Sequence, residues 1–329
     1  MITLLPLLEA WHLRYPAYNA ESVLELTRAT RPEVLVLAPL APLALENPDW
    51  QATPEIVLPL SIVPWARRQG VRLESGMLES PDPDAEADFY RYAVQYSGLQ
   101  ATLRELDSRL VPLTDLLPQP LTLSRIWQEV VPLVAAYQRE RERALDDGPG
   151  TDWLRARVTT LVERIQALPE EKVTVLASVE QLPLLQELLA GERLELPQDA
   201  PTTDRTRQRA LLDIAFRGDA ADPARLLTQL RELETAEARY HEANLLLSNG
   251  HLAEALERLE ATVQGDFSAP YYLPGYLLAR LGQLRDLMGE RDGALRAYRG
   301  VLALEWVPEE AREAARGGLE TPFEGLIDA

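Results

Sequence analysis

Residues 2–8 read ITLLPLL, an almost wholly apolar run at the beginning of the sequence. A short apolar run of this kind is typical of a strand that is buried on both faces of a sheet. Pro6 weakens that prediction, because proline has no N–H to donate to a neighbouring strand. Further apolar runs predict strands at 34–37, 71–74, 172–177 and 193–196.

Stretches with helical periodicity separate these runs. We predict helices over residues 19–30, 54–69, 89–117, 123–145, 152–168 and 181–190. Strands that alternate with helices are typical of βαβ units, in which the strands lie parallel. Residues 1–197 are therefore expected to form an α/β domain with a mainly parallel sheet and a helical insertion.

Proline, glycine and acidic residues mark the expected breaks between elements. Pro59 and Pro64 are expected to break or kink the helix over 54–69. Residues 80–88 (SPDPDAEAD) predict an acidic loop, and residues 146–150 (DDGPG) predict a turn.

The composition excludes several classes of function. The formal net charge is −19, so binding to nucleic acid or to an anionic membrane surface is not expected. There is no cysteine and there are only three histidines, which excludes disulfides and thiolate metal sites and leaves little for a histidine metal site. No apolar run is long enough to span a membrane, and no basic segment precedes the first apolar run as in a secretory signal. We expect a cytoplasmic, acidic protein, and the single lysine beside many arginines indicates a bacterium with a GC-rich genome.

The C-terminal third contains an internal repeat. Residues 238–263 align without a gap with the stretch that begins at Tyr276, at a shift of 39 residues. The aligned pairs are Ala243 with Gly282, Gly250 with Gly289, Ala255 with Ala294, and Leu259 with Tyr298. Small residues let two antiparallel helices approach closely, and glycine allows the tight turn between them.

This pattern resembles the tetratricopeptide (TPR) repeat, whose unit is normally about 34 residues. The extra length is expected as a short insertion around residues 268–272. Residues 203–329 are therefore expected to form an all-α, TPR-like array, with residues 204–232 as a further helix pair. The resemblance implies that the repeats bind a protein or peptide, or a second copy of the chain. An array that only stabilises the chain is the alternative.

Two predicted strand ends carry polar residues. His12 follows the first strand, in Leu8-Glu9-Ala10-Trp11-His12, and Ser178 and Gln181 follow the fourth. This arrangement resembles the superfamily of TraB, Tiki and erythromycin-esterase-like proteins, where both strand ends carry Gly-x-x-His. Arg157, eight residues before Ile165, matches the arginine of that family. The resemblance covers roughly residues 1–196.

The motifs of the family are degraded in this sequence. Glu9 stands in the place of the first glycine, and Ser178 and Gln181 replace the second glycine and histidine. Ala38 stands where the family has a glutamate at the end of the second strand. A site built on paired histidines would bind a metal or transfer protons through them, and neither chemistry is supported by one histidine and an amide.

The candidate catalytic residues are His12 and Arg157, with Glu9 or Glu180 as the carboxylate. Each also has a structural interpretation: His12 as a buried core histidine, Arg157 as a charged residue on a helix face, and Glu180 as a residue that favours the start of the next helix. A hydrolase would need His12, Arg157 and a carboxylate in one pocket at the carboxyl ends of the strands.

Motifs for other enzyme classes are absent from the sequence. It has no phosphate-binding Gly-x-x-x-x-Gly-Lys-Ser/Thr loop, no Gly-x-Gly-x-x-Gly after the first strand and no Gly-x-Ser-x-Gly elbow. We expect a non-catalytic interaction or scaffold protein, with a decayed hydrolase-like site and partner-binding repeats, and no metal or cofactor. The alternative is a metal-dependent or acid–base hydrolase that uses His12 and Arg157.

Overall fold

The computed structural model describes residues 1–41, 45–76, 83–93, 95–145 and 151–325. The chain consists of two compact units, Met1–Thr206 and Arg207–Ala329. We call them unit 1 and unit 2. The turn predicted at 146–150 lies outside the described residues.

Unit 1 contains a five-stranded sheet in which every pair of neighbouring strands is parallel. The order of its strands is β3-β2-β4-β1-β5. The strands are β1 (Ile2–Leu7), β2 (Val34–Leu37), β3 (Arg72–Ser75), β4 (Val173–Ser178) and β5 (Leu194–Glu195). The predicted α/β class with a parallel sheet is confirmed. The three inner strands are almost wholly buried, because helices cover both faces of such a sheet.

Pro6 lies inside β1, and the short neighbouring strand explains how the sheet accepts it. β5 pairs with β1 only at Ile2 and Thr3, so the edge of β1 at Pro6 has no strand beside it. The Pro6 carbonyl instead accepts a hydrogen bond of 2.9 Å from the Tyr18 hydroxyl. No ladder hydrogen bond is lost at this position.

The helices of unit 1 follow the predicted order with several corrections. They are α1 (Ala20–Thr30), α2 (Val63–Gln69), α3 (Pro83–Ala93), α4 (Ser97–Ser108), α5 (Val111–Leu116), α6 (Leu123–Arg125), α7 (Val131–Ala144), α8 (Trp153–Gln166) and α9 (Leu182–Leu188). Wide turns of π-helix, Leu58–Ile62 and Ile126–Val130, lead into α2 and α7. Pro59 lies at the start of the first of these turns and Pro64 at the start of α2, so neither breaks the helix at its centre as expected.

Two sequence predictions in the helical insertion are wrong. The single helix expected over 89–117 is three helices, since the backbone at Tyr96 is extended and Pro112 stands in the first turn of α5. The loop expected over 80–88 is helical from Pro83 onward, because proline is well suited to the first turn of a helix. Residues 80–82 lie outside the described part of the chain.

Unit 2 is described by helices alone. They are α10 (Asp204–Arg217), which begins at the end of unit 1, α11 (Pro223–Arg231), α12 (Ala236–Ser248), α13 (Leu252–Val263), α14 (Leu273–Leu287), α15 (Arg291–Leu302) and α16 (Glu309–Glu320). The two repeats correspond to the hairpins α12–α13 and α14–α15. Gly250 and Gly289 close the two turns with φ of 79° and 76°, which glycine adopts without strain. The predicted insertion lies in the link between α13 and α14.

Tyr298 shows why the repeat has small residues at fixed positions. Its ring is fully buried in α15, between Gly282 of α14 and Gly318 of α16. A Cβ atom added to either glycine would lie 2.4 Å or 2.3 Å from the ring, closer than atoms can pack. The tyrosine hydroxyl donates a hydrogen bond of 2.9 Å to Oδ2 of Asp286.

Candidate functional site

Unit 1 has an open cleft of about 910 Å³ at the carboxyl ends of β1 and β4. Its floor contains Leu7 and Leu8 from the end of β1 and Ser178 and Val179 from the end of β4. In open parallel sheets, ligands bind at this edge, where loops after neighbouring strands diverge. We call this feature the strand-end cleft.

Five carboxyl groups line the strand-end cleft, and three of them, those of Glu9, Glu55 and Glu180, interact electrostatically with one another. Glu9 begins a short 3₁₀ helix, Glu9–Arg14, directly after β1. Glu180 lies in the turn between β4 and α9 and is exposed. Glu55 precedes the π-helical turn that leads into α2 and is 2% exposed.

Glu55 is a buried acid whose pKa is perturbed by its surroundings. Its Oε2 accepts a hydrogen bond of 2.8 Å from the backbone N–H of Glu9. Burial raises the pKa of Glu55 to about 8; the hydrogen bond from Glu9 opposes the rise, and the nearby charges of Glu9 and Glu180 add to it. The group is therefore mostly protonated at neutral pH, because its charged form is poorly solvated and repelled by its neighbours.

Glu9 occupies a backbone conformation that favours glycine. Its φ is 51°, in the left-handed region. A side chain at positive φ is strained, which is why glycine is usually found in such turns. The hydrogen bond from Glu9 to Glu55 contributes to holding a non-glycine residue there.

His12 is fully enclosed in the core and bonded on both ring nitrogens. Nε2 accepts a hydrogen bond of 3.0 Å from the Leu8 N–H, so Nδ1 carries the proton and donates 2.8 Å to the Tyr18 carbonyl. Burial lowers the pKa of His12 to about 4, although the bond to Tyr18 opposes the shift. The imidazole is neutral at pH 7, and it ties the turn after β1 to the start of α1.

Arg157 lies on α8, with its guanidinium 4.6 Å from the centre of the Trp153 ring. This distance is typical of a cation–π contact. Its Nε is buried and has no hydrogen-bond partner in the described structure. Trp153 lines the strand-end cleft, but neither Arg157 nor His12 is among the described residues that do so.

Gln181 connects the ends of two neighbouring strands. The side-chain oxygen of Gln181 accepts a hydrogen bond of 3.1 Å from the Ser178 N–H. Its Nε2 lies 3.5 Å from the carbonyl of Ala38, just after β2. An amide supplies both a donor and an acceptor here, which is a structural use of the position.

The structure thus brings two of the four sequence candidates into one cleft, Glu9 and Glu180, together with Glu55. Sequence reasoning missed Glu55, which stands between Pro54 and the apolar run that begins at Ile56. A lone carboxylate at the head of a buried apolar segment was the available signal, since such a charge needs a partner. Within the described residues, no group of three or more histidine, aspartate and glutamate side chains is arranged to hold a metal ion.

Unit 2 contains a separate buried network of charges. Arg209 is bonded to both carboxylate oxygens of Glu237, at 3.0 and 2.8 Å, and to Asp213 at 2.8 Å. The Tyr272 hydroxyl also bonds to Glu237. Burial raises the pKa of Asp213 to about 7 although Arg209 opposes the shift, and burial lowers the pKa of His241 to about 4. Of the two histidines of unit 2, His241 is buried and His251 is exposed.

None of the helices in the described part of the chain is long and apolar enough to cross a membrane. No family model, no curated protein and no solved structure matches the sequence or the fold of this chain.

Proposed function

We propose that this protein is a non-catalytic binding protein, and that the strand-end cleft of unit 1 holds its ligand. The observation that carries the proposal is the state of His12. Both of its ring nitrogens are bonded to the backbone, and it is 1% exposed. An imidazole in this state has no free atom with which to accept a substrate proton or bind a metal.

The cleft itself supports a binding role. It has the size of a small-molecule site, and about half of the residues that line it are apolar or aromatic. The resemblance to the GxxH hydrolases is part of the same proposal: the scaffold remains while the paired histidines are absent. The cleft is open, so the loss of those residues has not been accompanied by filling of the space.

A hydrolase is the second candidate, and Glu55 is the observation that favours it. A buried carboxyl group with a raised pKa in a cleft is a typical general acid. This form of the hypothesis uses Glu55 with Glu9 or Glu180 in place of His12 and Arg157. It predicts turnover that depends on the protonated form of Glu55.

One pair of variants tests both candidates. Val179→Trp places an indole in the cleft, and Val71→Trp makes the same change at a partly buried position outside it. Ligand-observed NMR with a library of small apolar fragments is expected to show binding that is lost in Val179→Trp and kept in Val71→Trp. Chromogenic ester, phosphate and glycoside substrates are expected to give no turnover. Turnover that Glu55→Gln abolishes would establish the hydrolase instead.

We also predict that the repeats bind a partner and that the chain forms a homo-oligomer. Both predictions rest on the resemblance of unit 2 to TPR repeats, which bind peptides or neighbouring subunits. Sedimentation velocity of the full chain at several concentrations tests self-association. A mass that stays at one chain throughout would remove the homo-oligomer from the proposal.

A further inference from the structure

We propose that two copies of this chain pair through the outer edge of β3, with their β3 strands antiparallel across a two-fold axis at Leu73. This inference rests on the predicted homo-oligomer and names the surface that forms it. Three observations carry it. β3 lies at the edge of the sheet, its outward backbone groups have no partner in the described structure, and its charges complement those of a second copy.

β3 has hydrogen-bonding groups on its open side. In the described sheet, β2 is its one neighbouring strand. The Gly76 N–H donates to the Leu37 carbonyl at 2.9 Å, and the backbone groups of successive residues in a parallel strand point to opposite sides. Arg72, Glu74 and Gly76 therefore direct their backbone groups to β2. The N–H and C=O of Leu73 face away from it.

These two groups of Leu73 have no hydrogen-bond partner among the described residues. Unpaired N–H and C=O groups on an edge strand are a template for pairing with another strand. When two β3 strands lie antiparallel with Leu73 opposite Leu73, each leucine donates its N–H to the carbonyl of the other. This is the closely spaced pair of hydrogen bonds of an antiparallel ladder, and it satisfies all four groups at once.

The charges on either side of Leu73 favour a second copy as the partner. Pairing at Leu73 places Arg72 of each copy directly opposite Glu74 of the other. Opposite charges across a strand pair stabilise it, whereas like charges destabilise it. Charged residues on an edge strand usually discourage pairing with other chains, so this order of charges selects a second copy over an unrelated strand.

Both side chains can exchange partners without losing one. The side chain of Arg72 is 49% exposed and that of Glu74 is 27% exposed. Within one chain, Nε of Arg72 donates to Oε1 of Glu74 at 2.9 Å, and Arg72 also bonds to Glu170. Glu74 in turn lies 3.8 Å from Arg164. In the pair, Arg72 keeps Glu170 and Glu74 keeps Arg164, while the bond between Arg72 and Glu74 forms between the two copies.

Charge reversal tests this pairing. Sedimentation velocity of the full chain at several concentrations is expected to show a dimer in the wild type. Arg72→Glu opposes two glutamates and Glu74→Arg opposes two arginines, so each is expected to weaken dimerisation at least about tenfold. An equal mixture of the two variants is expected to form a dimer again, because every opposed pair then has opposite charges. This recovery cannot arise within one chain, since both variants lack the internal pair.

Two further variants complete the experiment. Arg225→Glu makes the same change of net charge at an exposed residue of unit 2 and is expected to dimerise like the wild type. Leu73→Pro removes the outward N–H without a change of charge, and proline is tolerated on an edge strand at such a position. It is expected to lose the dimer. Circular dichroism establishes that each variant is folded, and either Leu73→Pro or the charge variants suffice for the test.

The outcomes separate the interface from the homo-oligomer. If the folded edge variants dimerise as well as the wild type, the β3 edge is not the interface and the homo-oligomer stands on another surface. If the mixture of charge variants stays monomeric, or if Arg225→Glu weakens the dimer as much as Arg72→Glu, the proposed pairing is wrong. A wild type that stays at the mass of one chain at every concentration would overturn both the interface and the homo-oligomer.

Discussion

The backbone N–H of Glu9 donates a 2.8 Å hydrogen bond to Oε2 of Glu55, a residue 46 positions later in the chain. This bond joins the turn after β1 to the segment that leads into α2. It fixes one oxygen of a buried carboxyl group that lines the cleft. The titration of Glu55 is therefore coupled to the stability of unit 1.

Glu55→Gln is expected to make the stability of unit 1 less sensitive to a rise in pH between about 4.5 and 8. The pKa of Glu55 is raised from 4.5 to about 8, so the unfolded chain loses this proton at lower pH than the folded chain. The folded state of the wild type consequently loses stability as pH rises from about 4.5 to 8, by up to about 5 kcal/mol, and no further above it. Five of the six tryptophans lie in unit 1, so urea unfolding followed by tryptophan fluorescence reports this unit. Equal slopes for variant and wild type over this range would contradict the assignment.

His12→Gln is expected to remove a pH dependence of the opposite sign. The pKa of His12 is lowered from 6.5 to about 4, so the unfolded chain takes up a proton before the folded chain does. Wild-type stability is therefore present above pH 6.5 and falls as pH drops toward 4, by up to about 3 kcal/mol.

The same variant is expected to be less stable than the wild type at pH 7. The imidazole bonds to Leu8 and Tyr18, and a buried backbone group left without its partner costs about 1–3 kcal/mol. The urea midpoint at pH 7, 5.5 and 4.5 measures both effects. His251→Gln, at an exposed histidine of unit 2, serves as the control and should leave the tryptophan-detected midpoint unchanged.

Gly282→Ala is expected to destabilise unit 2 by about 1–3 kcal/mol, the usual cost of overpacking a core. The new methyl group would meet the fully buried ring of Tyr298, which has no space to move aside. Gly317→Ala is the matched control, because a Cβ there has open space and alanine favours the helix. Thermal unfolding followed by circular dichroism compares the two. If this contact is the cause, Tyr298→Leu should relieve most of the destabilisation by Gly282→Ala. Additive losses of stability in the double variant would contradict it.

Arg209→Met is expected to destabilise unit 2 by about 3–5 kcal/mol, because it leaves the buried carboxylates of Glu237 and Asp213 without their cation. Arg231→Met provides the comparison. Arg231 is 43% exposed in its side chain, and its partner Glu242 keeps a second arginine, Arg258. Its replacement should cost less than about 1 kcal/mol. Similar losses from both variants, measured by thermal unfolding, would show that burial does not set the strength of these pairs.

The sequence by itself determined the fold class and most of the elements. Apolar runs such as 34–37 and 172–177 predict strands correctly, because both faces of an inner parallel strand are buried. The repeat spacing also located the glycines of the two hairpin turns, Gly250 and Gly289, since a positive φ restricts the choice of residue. The break of the 89–117 segment into three helices was not predicted, because helical periodicity continues through it.

Only the tertiary structure decided the composition of the cleft. His12 and Glu9 are close in sequence, yet one is enclosed by the backbone of its own turn and the other lines the cleft with Glu55. Glu55 has no local pattern that marks it as a partner of Glu9, because a single hydrogen bond between distant segments leaves no periodicity in the sequence. Burial and the field of neighbouring charges set its protonation, and both exist only once the chain has folded.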